Sequence, residues 1–191
     1  MKFEMQAHAQ DGVLASALTG QKVFAAMAGA TKAKPEPEIA FLDFSGVAVA
    51  TMSFLRESVV AYRNHARSHW STVYPVVANL AAPIREDLEL FLRDRGDAMV
   101  VCELDGAGHA TNVQIVGRLD GKQDLTLRAV VEQGEIDATT LAERYKDENP
   151  VSPTAWNNRL AALATKGLVI ESSSGRSKRY RPVLEKLRYG T

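Results

Sequence analysis

The last seventy residues constrain this chain more than any other stretch. Asp137-Ala-Thr-Thr-Leu-Ala-Glu-Arg-Tyr145 is followed by a break at Asn149-Pro-Val-Ser-Pro153. Thr154-Ala-Trp-Asn-Asn-Arg-Leu-Ala-Ala-Leu-Ala-Thr-Lys-Gly167 comes next, and then Leu168-Val-Ile-Glu-Ser-Ser-Ser-Gly-Arg-Ser-Lys-Arg-Tyr-Arg-Pro-Val183. The order predicts helix, turn, helix and a hairpin with a basic tip. Such an order lets one helix enter the major groove of DNA while the positive hairpin tracks the neighbouring phosphates.

Local signals sharpen the pattern. Ser152 can cap a helix whose first position is Pro153. Trp156, Leu160, Leu163 and Ala164 follow a spacing of three and four and face a core, which turns Thr154, Asn157, Asn158 and Arg159 largely outward in the N-terminal half. Asparagine can bond adenine edges in a bidentate way and arginine can do the same to guanine, and recognition helices use their N-terminal half for this. Consecutive asparagines are poor helix-interior residues, so the pair calls for a compensating partner. Gly167 is the expected stop. Leu168-Val-Ile170 begins the hairpin, Ser172-Ser-Ser-Gly175 turns it, and Arg176-Ser-Lys-Arg-Tyr-Arg181 returns. Residues two apart on a strand share a face, which pairs Arg176 with Lys178 and Arg179 with Arg181. On phosphates these charges would act without regard to sequence and weaken with salt. From Val151 onward eight basic side chains oppose two glutamates, a charge near +6 in a chain whose total is zero. Scattered lysines are ordinarily a solvated surface. Several charges on one short hairpin point instead to a local anionic partner.

The Leu168-Val-Ile-Glu…Gly175-Arg…Tyr180-Arg181 segment resembles the wing of bacterial winged-helix regulators, and the resemblance spans about Lys122 to Glu185. It implies a DNA-binding module, although winged helices also serve as protein-binding modules.

The first part of the chain alternates strand and helix patterns. Lys2 to His8 reads as an edge strand, Gly12 to Thr31 as a helix, and Ile39-Ala-Phe-Leu-Asp-Phe44 as an interior strand. Ala50-Thr-Met-Ser-Phe-Leu-Arg-Glu57 opens a helix that Thr51 or Ser53 can cap. Thr72 to Asn79 is a strand whose Pro75, unable to donate to a ladder, argues for a bulge or a strand start. Ala82 to Arg95 is a helix with Pro83 in its first turn and Gly96 as its stop. Asp97 to Leu104 and Thr111 to Val116 are strands joined by a turn. The alternation predicts a mostly parallel sheet with helices packed on it.

Phe41-Leu-Asp-Phe-Ser-Gly-Val-Ala-Val-Ala-Thr-Met-Ser-Phe-Leu-Arg-Glu57 resembles the strand, loop and helix signature of STAS-like domains. In particular it resembles the small bacterial STAS-like family with Asp-Phe-x-x-Val and then Ser-Phe before a helix. The likeness covers about Phe3 to Leu119. It implies an α/β sheet with helices on one side, a switch loop after the Asp43 strand, and a protein partner such as a kinase-like ATPase. In the related anti-sigma factor antagonists a serine at this helix start is phosphorylated. The matching position is Ser53, with Thr51 beside it. Here Thr51 stands where aspartate is usual and Phe54 where glycine is.

The expected fold is therefore α/β, a STAS-like mixed sheet with packed helices over 1–119, plus an α+β winged helix-turn-helix domain over 120–191. No catalysis, metal or cofactor is expected. His65 and His69 are four apart on one helix face, but no carboxylate or cysteine completes a ligand set, so they read as solvent-exposed. Asp43 and Asp105 lie at strand ends with nothing to pair with either. Cys102, the one cysteine, cannot form an internal disulfide and reads as packed in a buried strand. No apolar run approaches the roughly twenty residues of a membrane span, and no signal peptide is visible, which makes the cytoplasm the natural compartment. The expected function is regulatory, a STAS-like unit controlling a DNA-binding winged helix, and a homodimer would give two half-sites. The competing expectation is a protein-interaction module that never binds DNA.

Overall fold

A computed structural model describes residues 1–174, 177–185 and 187. It is a mixed α/β structure in which helices pack on a mixed sheet. Strands β1 (Lys2–Glu4), β3 (Glu38–Asp43), β5 (Val73–Ala78), β6 (Ala98–Leu104) and β7 (Ala110–Gly117) form one five-stranded sheet in that order. The first four run parallel, and β7 returns antiparallel beside β6. Two further strands, β2 (Val13–Leu14) and β4 (Val49–Ala50), make a small parallel ladder outside it.

The connections decide the layering. Helix α1 (Ala17–Ala30) links β1 to β3. Helix α2 (Met52–Leu55) continues through a π-helical turn, Arg56–Val60, into α3 (Ala61–His69) and links β3 to β5. Helix α4 (Ala82–Asp94) links β5 to β6. Parallel crossovers take the same hand, so strands laid down in sequential order place every connecting helix on the same face. Strand residues alternate between faces. Leu42, Val73, Val77, Met99 and Val101 accordingly pack on the helix side with Val23, Met27, Phe54, Val59, Tyr62, Leu88 and Leu92.

The opposite face carries Tyr74, Val76, Ala78, Val100 and Cys102, and it too is buried. Its cover comes from further along the chain. Helices α5 (Gly121–Gln133), α6 (Ala138–Arg144) and α7 (Pro153–Lys166), with the antiparallel hairpin β8 (Val169–Ser174) and β9 (Ser177–Pro182), supply Leu127, Val130, Leu141, Trp156, Leu160, Leu163 and Tyr180 to that same cluster, and Val183 joins it just after β9. Every residue of β5 is buried, as expected for a strand covered on both sides.

Three local expectations need correction. Pro75 sits in regular register opposite Ala40, with no bulge in β5. The ladder from β5 to β6 begins only at Val77, so the missing donor of Pro75 precedes that pairing. Val13 and Leu14 do not belong to the first helix. They pair with Val49 and Ala50, and the helix starts after Ser16, whose hydroxyl accepts from Thr19 N at 3.2 Å. His65 is half-buried, stacked on His69 at 4.1 Å with Trp70 edge-on at 4.9 Å, while His69 is exposed. Among the described residues no helix is long and apolar enough to cross a membrane.

Candidate nucleic-acid interface

The three helices that precede the hairpin are bounded by side-chain caps. Asp120 accepts from Lys122 N and Gln123 N at 2.9 and 2.8 Å and starts α5, and Gly134 ends it at φ 79°. Asp137 accepts from Thr139 N and Thr140 N, both at 2.9 Å, and starts α6. Ser152 accepts from Ala155 N at 3.2 Å, Pro153 occupies the first turn of α7, and Gly167 closes the helix in the left-handed region at φ 78°. Each cap satisfies backbone groups the helix end leaves open.

Helix α7 buries Trp156, Leu160 and Leu163 completely and leaves Thr154 and Asn158 exposed. Asn157 and Arg159 are half-buried, and both already have work inside the fold. The Tyr180 hydroxyl donates to Asn157 Oδ1 at 3.2 Å, tying α7 to β9. The Arg159 guanidinium lies 4.8 Å from the centroid of the Trp156 ring, and its Nη1 is buried with no hydrogen-bond partner among the described residues. Arg159 follows Trp156 by three positions and so shares its side of the helix. The expectation that it points outward is corrected to that extent. Burial pushes the Tyr180 hydroxyl well above the ordinary tyrosine range, with Glu171 adding to the effect, so it remains a donor to Asn157 at any physiological pH.

On the hairpin, Tyr180 faces the core while Lys178, Arg179 and Arg181 are exposed. Lys178 Nζ meets Glu171 Oε1 at 2.7 Å, and Arg179 Nη1 meets Glu135 Oε2 at 3.1 Å. Exposed pairs of this kind contribute little and exchange readily for another anion. Arg176 lies outside the described residues. The Tyr180–Asn157 bond joins α7 to β9, while Lys178 pairs within the hairpin and Arg179 and Arg181 turn toward Glu135 beyond the end of α5. Sequence reasoning counted Glu171 among the opposing acids but missed Glu135, which lies between α5 and α6 and reaches Arg179 from outside the hairpin.

The other sequence-derived site lies at the start of α2. Thr51, not Ser53, is the cap, with Thr51 Oγ1 accepting from Phe54 N at 3.4 Å. Ser53 Oγ is half-buried and 3.1 Å from Thr51 Oγ1.

A third cluster was not anticipated. Asp43 Oδ1 accepts from Ser45 N at 3.0 Å, Ser45 Oγ at 2.7 Å and Asn79 Nδ2 at 2.7 Å, and Lys2 Nζ reaches Oδ2 at 3.4 Å. Burial works to raise the Asp43 carboxyl, but these donors outweigh it and hold it below the ordinary aspartate range. Asn79 takes φ 57°, a conformation asparagine tolerates, and its Oδ1 accepts from Leu104 N at 2.9 Å. The cluster lines a cleft of about 570 Å³ at the carboxyl ends of the parallel strands, with Asp105 opposite. A sheet in sequential order lacks the switch point at which such sheets open a ligand crevice. Asp43 instead ties the end of β3 to Lys2 and to Asn79 after β5, and Asn79 in turn holds the end of β6 through Leu104 N. Among the described residues no cluster of histidine, cysteine and carboxylate could hold a metal ion.

Cys102 is buried, and burial pushes its thiol up to about 12. The native protein is expected to resist alkylation at neutral pH over hours in which the urea-unfolded chain is modified completely, as read by intact mass. Rapid native modification would place Cys102 at an accessible surface.

No family model matches the chain, and no curated protein matches it. A solved structure described as "Structural insights into the DNA recognition and protein interaction domains reveal fundamental homologous DNA pairing properties of HOP2" is similar at 25% identity over 32% of this chain and 98% of its own, with a TM-score of 0.30.

Proposed function

We propose that this chain is a DNA-binding regulator in which residues 120–191 act as a winged helix and residues 1–119 act as a STAS-like unit that receives a signal or a partner. The observation that carries the reading is the exposed N-terminal half of α7, bearing Thr154 and Asn158, joined by the Tyr180–Asn157 bond to a hairpin that shows Lys178, Arg179 and Arg181 to solvent. Asn158 is the base-edge reader, because Asn157 has its carbonyl oxygen engaged. The hairpin cations hold phosphates once Glu135 and Glu171 give way to them.

Binding to pooled genomic fragments over a salt series tests this. Asn158→Ala is expected to lose fragment selection at a cost of about 1–3 kcal/mol. Arg179→Glu is expected to weaken all sequences alike and to reduce the salt slope by about one. If no fragment survives moderate salt in the wild type, the DNA reading fails.

One observation favours a second reading, docking of a kinase-like ATPase on the STAS-like unit. Val13, Leu18 and Val49 are 39, 62 and 50% exposed on β2, α1 and β4, close in sequence to the caps of α1 and α2. Exposed apolar groups beside the Ser53 helix start suit a protein partner.

A further inference from the structure

Thr154, Asn158, Ala161 and Thr165 follow one another on α7 at steps of four, three and four, so they form a single stripe along the helix. The first two are exposed. The last two line a groove of about 300 Å³ whose other wall belongs to the first half of the chain. Ser71 and Thr72, in the turn between α3 and β5, form that wall, with Arg67 beside them and Ser173 of β8 at the end.

The groove is suited to an anionic chain. Arg67 Nε and Nη1 are fixed by the carbonyls of Ala164, Ser71 and Val73 at 2.8–3.0 Å, and the guanidinium rests over the Tyr74 ring at 3.9 Å. The acid that lines the groove is Glu171, and Lys178 already neutralises it at 2.7 Å. Lys178 is also the residue opposite Ser173 across the hairpin. On the far side the Thr72 hydroxyl donates to Lys34 O at 2.7 Å, which holds the segment between α1 and β3 against the outer wall. Lys32 and Lys34 are exposed there. Lys34 pairs with Glu38 at 3.3 Å, and Lys32 has no ion pair among the described residues.

The stripe is long enough to reach beyond a major groove. Thr165 stands about 16 Å along the helix axis from Thr154, at 1.5 Å per residue. The major groove is about 12 Å wide. With the Thr154 end of α7 inside the groove and the helix axis directed out of it, the bounding backbone would come opposite the Ala161–Thr165 end.

We propose that a duplex held by α7 is also held by the first half of the chain, its phosphate backbone crossing the Ser71–Thr72 wall with Lys32 and Lys34 as contacts. The inference rests on the DNA-binding reading of α7 and gives it a second surface on another part of the fold.

The test uses the full chain and a random-sequence duplex over a salt series, comparing wild type, Lys32→Gln/Lys34→Gln, Lys32→Glu/Lys34→Glu and Arg179→Glu. Each phosphate contact contributes about 0.9 to the slope of log affinity against log salt. Both double variants are expected to flatten that slope by about two, with urea midpoints equal to wild type. A slope unchanged in both, while Arg179→Glu lowers its own by about one, overturns this inference and leaves the α7 reading standing. Absence of wild-type binding overturns both.

Discussion

Replacing Arg63 with methionine is expected to lower the unfolding free energy by about 3–5 kcal/mol, the cost of removing one partner from a buried ion pair. The Arg63 side chain is 3% exposed. Its guanidinium pairs with Asp97 through Nη2 and donates through Nη1 to Ala98 O at 3.0 Å and Lys166 O at 3.3 Å. One side chain of α3 thus holds the start of β6 and the last turn of α7. Methionine fills similar volume but satisfies none of those acceptors. Among the described residues Lys166, whose Nζ is 3.0 Å from Asp97 Oδ1, would then be the one cation paired with a mostly buried carboxylate. Urea unfolding with an unchanged m-value reads the effect. A loss under about 1 kcal/mol would mean the pair is no stronger than an exposed one.

The same cluster sets an acid limit. Burial works to raise the Asp97 carboxyl, but the Arg63 guanidinium, Lys166 and the Ala98 N–H outweigh it and hold it below the ordinary aspartate range. A depressed folded value means that stability from this group is complete above the unfolded value and is lost as pH falls through the folded one. The acid-unfolding midpoint of the Arg63 variant should accordingly lie at higher pH than that of wild type.

Residues 1–119 expressed alone are expected not to form a well-packed, stable monomer. The face of the sheet with Tyr74, Val76, Val100 and Cys102 is covered by Leu127, Trp156, Leu160, Leu163 and Tyr180 from the rest of the chain. Burying one large apolar side chain is worth about 1.5–3 kcal/mol. Uncovering several at once removes an amount comparable to the whole stability of an ordinary domain, about 5–15 kcal/mol. Aggregation, or a monomer that binds a hydrophobic dye strongly, is the expected result by size-exclusion and dye fluorescence. A dye-silent monomer with a cooperative thermal transition would show that the sheet needs no such cover.

The features legible in the sequence were those decided within a few residues. Ser152-Pro153 and Gly167 bound α7 because capping is local chemistry, and the run around Cys102 announced a buried strand. What escaped was decided across distance. Val13 and Leu14 fit a helical period, yet they pair with a segment 36 residues on. Asn157 looked like a free reader, but its partner is Tyr180, 23 residues away. Glu135, which holds Arg179, lies 44 residues from it. The helix periodicity of α7 identified its buried stripe, while the place of Arg159 depended on how far a long side chain bends back over Trp156. Nothing local could announce that the two halves share a core, because each half shows only an ordinary apolar pattern by itself.

The sequential order of the parallel strands also has a consequence in time. A chain emerging from the ribosome completes β7 at Gly117 with its connecting helices already available to one face of the sheet. The other face waits for α5, α7 and the hairpin. At about 5–20 residues per second, the residues from 120 to 183 take roughly 3–13 s to be made. During that interval the nascent sheet presents an apolar surface, and a chaperone that binds such surfaces has a window set by translation speed. Slow codons in that stretch would lengthen the window without changing a single contact in the finished protein.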